Sequence, residues 1–166
     1  MKKIIWVLAI YVMLISGCAA SWVPAGSKPL VPLTLQEADL YRIVKNAEWK
    51  IAGGAPDKMV FGKVVSLTFV EPDVVQIAGK RIKPNGDQLD GSYDLKFAVE
   101  NGTLTAQIVA FTGAEFDLAS SQVRALNAEL RQVFADAVTQ VQGKAATSVR
   151  VTGGDVKTLK IMIEPK

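Results

Sequence analysis

Between residues 92 and 99 apolar and polar side chains alternate without a break. Tyr93, Leu95, Phe97 and Val99 fall on one side, Asp94 and Lys96 on the other. That period of two marks a strand with one buried face. Asn101-Gly102 follows, a pair suited to the type I′ turn, whose central residues both take φ > 0. Residues 104–111 are therefore expected to return antiparallel. Both faces of that return are apolar, Leu104 and Ile108 against Val109 and Phe111, which implies a central strand or one covered on both sides. Upstream, Val65, Leu67 and Phe69 alternate with Ser66 and Thr68. Glu71-Pro72-Asp73 reads as a turn with proline at its second position, and 74–82 as the return strand. Residues 83–91 are rich in turn formers and predict a longer loop. A last hairpin spans 147–152 and 156–164, turned by Gly153-Gly154-Asp155, with Leu159, Ile161 and Ile163 alternating.

Two stretches change to helical spacing. Thr34-Leu35-Gln36-Glu37 has the capping-box pattern, threonine at the N-cap and glutamate three residues on. It predicts a helix over 34–48 with Leu40, Val44 and Ala47 on one face, flanked by Leu35 or Ile43. The longer stretch, 118–142, places Val123, Leu126, Leu130, Val133, Phe134, Ala137 and Val141 on one stripe. Arg124, Asn127, Arg131, Asp136 and Gln140 lie outside it, and Gly143 stands where a helix-ending C′ residue is expected. The order is helix, four strands, long helix, two strands. It predicts an α+β fold: a curved antiparallel sheet of about six strands packed on one long helix, with a short N-terminal helix.

The chain begins differently. Lys2 and Lys3 precede twelve apolar residues, 4–15, and then Ser16-Gly17-Cys18. A basic start, a short apolar run and small residues make a secretory leader. Twelve residues rise only about 18 Å as a helix, too short for a hydrocarbon core of about 30 Å. Ile15-Ser16-Gly17-Cys18 resembles the lipobox of bacterial lipoproteins. The resemblance implies recognition of Ile15, Ser16 and Gly17 by the signal peptidase and a diacylglycerol on the Cys18 thiol. Residues 1–17 would then be removed. Residues 18–33, with three prolines, read as the lipidated cysteine and a flexible tether, and 34–166 as a single α+β domain. Ala19 follows the cysteine where, by resemblance to lipoproteins of two-membrane cells, aspartate would signal inner-membrane retention. The expected location is thus the outer membrane facing the periplasm, or the outer face of a single cell membrane.

Loss of residues 1–17 leaves 149 of the 166 residues and lowers the formal charge from +3 to +1. Basicity is then no argument for nucleic acid. The chain has no histidine, and Cys18 is its one cysteine. Ser-His-Asp and Cys-His catalysis are excluded, and an acylated Cys18 leaves no free thiol. No enzyme activity and no cofactor or metal is expected.

Three features together carry a second resemblance. They are the opening T-x-x-E-x-x-L from Thr34 to Leu40, the alternation and N-G turn from Tyr93 to Thr105, and Leu126-Asn127-Ala128-Glu129-Leu130 before a closing hairpin. In that order the domain resembles small bacterial lipid-binding lipoproteins with a tubular-lipid-binding-like fold. The resemblance implies an apolar groove for acyl chains between helix and curved sheet. It carries no catalytic signature and no defined ligand contact.

The candidate lining of such a groove is Phe61, Leu67, Phe69, Tyr93, Leu95 and Phe97 with Leu126, Leu130, Val133 and Phe134 of the long helix. An ordinary closed core would use the same residues. Asn85, Asp87 and Asp90 have oxygen side chains in a loop but lack the following glutamate of a calcium loop. Glycoside chemistry would need two acids facing across a cleft; Asp87, Asp90 and Asp94 are the one local acid cluster, and all three read as solvated. Lys80, Arg81 and Lys83, with Lys58 and Lys63, offer cations for anionic headgroups or simply a solvated strand end. The expected function is a membrane-anchored exported carrier of a lipid or other apolar ligand. The alternative is an envelope protein-interaction or assembly module. The membrane, through the diacylglycerol, is a partner in either case.

Overall fold

The computed structural model describes residues 28–113, 117–141 and 143–166. Ile15, Ser16, Gly17 and Cys18 lie outside the described residues. The alternating stretch sits inside β4 (Gln88–Glu100), which pairs with β3 (Val74–Ile82) on one side and β5 (Thr103–Gly113) on the other. β2 (Lys63–Val70) completes an antiparallel meander in the order β2-β3-β4-β5. Tyr93, Leu95 and Phe97 are buried as the alternation requires. Asn101 and Gly102 take φ of 51° and 77°, the backbone that the tight turn demands.

The remaining strands form a second sheet. β1 (Val31–Gln36), β7 (Thr158–Pro165) and β6 (Gly143–Thr152) run antiparallel in the order β1-β7-β6. The fold is α+β, but the six-stranded single sheet is corrected to two sheets of four and three strands. β6 does not extend the meander because its amides turn to the hairpin ends instead. Ala146 N donates to Gly102 O at 2.8 Å and Val151 N to Pro72 O at 2.8 Å. Glu71 strengthens this seam through Arg150 at 3.3 Å.

β1 also replaces three residues of the expected tether and moves the helix start. Val31 pairs with Ile163 and Gln36 with Thr158, so Leu33 and Leu35 enter the core. Pro32 is accommodated because β1 is an edge strand, where a missing N–H costs no ladder bond. Helix α1 (Glu37–Ile51) therefore begins after Gln36 and not at Thr34. Gln36 N donates to Asp39 Oδ2 at 3.1 Å, the same reciprocal logic shifted by two residues.

Two bulges reset the expected alternation. Between Val64 and Ser66 the β2–β3 register slips by one. Val64 then points inward with Leu67 and Phe69, and Val65 is turned out, 57% exposed. An extra residue inverts the faces before and after it. The second bulge, between Asp94 and Leu95, skips Val109 and lets Ile108 and Phe111 both approach the core. β5 is one of the sheet's two edge strands, so its two apolar faces reflect the bulge and not a central position.

Helix α2 (Ser121–Gln140) lies against β5, β6 and α1. Ser120 Oγ caps it by accepting from Val123 N at 3.4 Å. Val123, Leu126, Leu130, Phe134, Ala137 and Val138 are buried. Asn127, read as a surface position, instead accepts from Ile108 N at 2.7 Å beside the β5 bulge. Lys50 and Glu129, at 2.6 Å, pin α1 to α2. Gly143 is not a left-handed cap. It opens β6, where a Cβ would lie 2.3 Å from Ile163 Cγ2 and 2.7 Å from Val138 O. Close approach selects the glycine here.

Candidate functional site

All ten candidate lining residues are brought together, and they touch one another. Phe61, Leu67, Phe69, Tyr93, Leu95, Phe97, Leu126, Leu130 and Phe134 belong to one buried cluster, with Val133 packed against it. Phe61 stacks on Tyr93 with ring centres 5.3 Å apart, and Phe97 meets Phe134 edge-on at 5.1 Å. Phe97 and Phe134 fill the space between β4 and α2, and the Phe61–Tyr93 stack packs the α1–β2 connection onto β4. Of the ten, Leu67 also reaches a concave surface.

That surface is a groove of about 420 Å³ between the first turns of α1 and the middle of β2, lined by Glu37, Ala38, Tyr41, Val65, Ser66 and Leu67. The β2 bulge creates its apolar wall by turning Val65 outward onto the side faced by Tyr41. Its volume falls in the range of small-ligand sites, about 300–1,000 Å³. Two cations stand at its margin. Lys45 Nζ lies 5.9 Å from the centre of the Tyr41 ring, a cation–π contact across one helical turn. Lys157, from the β6–β7 turn, pairs with Glu37 at 3.3 Å.

Apart from the groove, a buried carboxylate ties α1 to the connection that precedes β2. Glu48 of α1 has no solvent exposure. Its Oε2 accepts from Phe61 N at 2.7 Å, and its Oε1 accepts from Tyr93 Oη at 3.4 Å. Burial pushes its pKa from 4.5 to about 8, opposed by hydrogen bonds from Phe61 N, the Tyr93 hydroxyl and Val60 N. Tyr93 is raised well above 10, first by its own burial and then by the Glu48 charge. Glu48 follows Leu40 and Val44 at four-residue steps on the apolar stripe. That spacing is the signal by which the sequence places a carboxylate among core residues.

The polar candidates at 85–94 have structural partners, and Asp90 and Asp94 lie in β4 and not in a loop. Asn85 Oδ1 accepts from Asp87 N at 3.1 Å, a side-chain turn of the loop itself. Asp90 pairs with Lys80 at 2.9 Å, and Asp94 accepts from Gln76 Nε2 at 3.0 Å. Among the described residues no group of three or more His, Cys, Asp or Glu side chains is placed to hold a metal ion. No helix among them is long and apolar enough to cross a membrane.

Among the described residues, fold and groove together define an α+β arrangement of two antiparallel sheets and two α-helices, with an open apolar groove beside an edge strand. Comparison with known proteins finds no matching family model, no matching curated protein and no matching solved structure.

Proposed function

We propose that the protein is an exported lipoprotein, anchored through Cys18, that holds an acyl chain or similar apolar ligand in the α1–β2 groove. The observation that carries this reading is Val65, an apolar residue turned by a bulge into a concave surface instead of into the core. Bulges commonly re-aim a side chain next to a functional site. Ala38, Tyr41 and Leu67 supply the rest of an apolar wall. Lys45 supplies a cation at the rim for an anionic head group. In this reading the buried aromatic cluster shapes the walls and Leu67 is the one predicted lining residue that touches the ligand.

Val65→Asp puts a charge into the groove at a position already 57% exposed. It is expected to lower fluorescent fatty-acid binding at least tenfold while moving unfolding stability by only about 0.5 kcal/mol. Unchanged binding would place the ligand elsewhere. The anchor has its own test. Metabolic labelling with palmitate should mark the wild-type chain, and Cys18→Ser should abolish the label and release the protein from washed membranes. A labelled Cys18→Ser chain would refute the assignment.

A protein partner is the second reading. β2 is an edge of the four-stranded sheet, and Val70 at its end is exposed, so an extended segment could add beside it. The bulge and Lys63 blunt that edge, which favours the small ligand.

A further inference from the structure

The connection from α1 to β2, residues 52–62, has little regular structure of its own beyond a short 3₁₀ turn at Pro56–Lys58. It is held at its C-terminal end by Glu48. We infer that Glu48 is a protonation-dependent latch that clamps this connection to helix α1, and that the clamp loosens as pH rises.

The geometry defines both halves of the latch. On one side, Glu48 is fixed by its helix, between the buried Val44 and the Lys50–Glu129 pair that pins α1 to α2. On the other, Phe61 donates its amide to Glu48 and lays its ring over Tyr93. The Phe61 ring also lies against Gly79 of β3, where a Cβ would come within 2.6 Å of it. Opening the connection would expose the carboxylate to water, where it ionises in the ordinary range. Closing it returns the carboxylate to a place that disfavours charge.

The groups facing Glu48 do not neutralise that charge. Tyr93 of β4 faces it as a hydroxyl, and Val60 and Phe61 face it through backbone amides. Lys50, on α1, is turned to Glu129 at the surface, and Lys80 of β3 to Asp90. Arg81 of β3 is engaged in an interaction of its own.

The sign follows from linkage. The closed state holds a proton that the open state releases, so each step up in pH favours opening. The effect starts near the ordinary carboxylate pKa of 4.5 and levels off near 8, where the closed state loses the proton too. Within that window opening is favoured by at most about tenfold per pH unit. Because α1 and β2 are the walls of the proposed groove, the latch would also tie groove width to pH. That last step rests on the binding reading; the latch itself does not.

Hydrogen exchange on the full-length protein in detergent, read as protection factors for peptides covering 52–62, tests it. In the wild type, protection should fall at least tenfold between pH 5.5 and pH 8 and then level off. Glu48→Gln keeps an oxygen for the Phe61 amide and carries no proton to lose, so its protection should stay flat. Tyr93→Phe removes a hydroxyl that favours the charged form, so its decline should continue to higher pH than in the wild type. If Glu48→Gln fails to fold, the wild-type and Tyr93→Phe curves decide the matter between them. Flat wild-type protection, a Glu48→Gln curve that falls like the wild type, or a Tyr93→Phe curve that levels off no later would overturn the latch. A latch that behaves as described with no ligand binding at any pH would leave it standing and remove the binding reading alone.

Discussion

Phe134→Ala is expected to destabilise the fold by about 3–5 kcal/mol, the range for deleting a buried aromatic ring. Phe134 has no exposure, sits in the middle of α2 and meets Phe97 edge-on with centres 5.1 Å apart. Its removal takes away one member of an aromatic pair and leaves a void bounded by Leu130 and Phe97, which are themselves fixed by helix and sheet. The neighbouring Val133 is only partly buried, and Val133→Ala should cost about 1 kcal/mol. Urea unfolding of the two variants checks the contrast. Equal losses would contradict the packing described between α2 and β4.

The stability of the whole protein should fall as pH rises from 5.5 to 8, and Glu48→Gln should remove most of that slope. Glu48 has a folded-state pKa raised from 4.5 to about 8. A raised value means that the folded chain holds a proton the unfolded chain has released. Its contribution is therefore complete below pH 4.5 and is lost as pH climbs through the window up to about 8. At most about 1.4 kcal/mol per unit is at stake, and the slope fades as pH nears 8, so the loss between pH 5.5 and 8 is about 3 kcal/mol. The measurement is unfolding free energy against pH for both proteins. A wild-type profile that rises across this window would reverse the assignment of the neutral form to the folded state.

What the sequence makes legible here is what is local. Tyr93, Leu95 and Phe97 declare their strand because a period of two needs no information from elsewhere. Asn101-Gly102 declares its turn because only certain residues take both positive φ values. The α2 stripe is equally plain, since seven apolar positions at helical spacing leave little choice of face.

What stays hidden depends on partners far along the chain. Residues 31–36 become a strand only because β7, more than 120 residues later, pairs with them. Without that partner, Pro32 and its neighbours look like tether and Thr34 looks like a cap. The bulges at Val65 and Val109 carry no local mark, yet each reverses an alternation. The groove inherits that difficulty, because its apolar wall exists only once Val65 has been turned out. Glu48 is a different case. Its four-residue spacing from Val44 was readable, but a charged residue is ordinarily assigned to solvent, and its partners at Val60, Phe61 and Tyr93 come from other elements.

The most direct test of the ligand account is photolabelling with a diazirine fatty acid, mapped by peptide mass spectrometry on the full-length protein. The account predicts adducts concentrated on the groove walls, in the peptides carrying Glu37 to Tyr41 and Val65 to Leu67, and competed away by unlabelled fatty acid. Adducts spread over the surface without competition, or concentrated between α2 and β4, would contradict it.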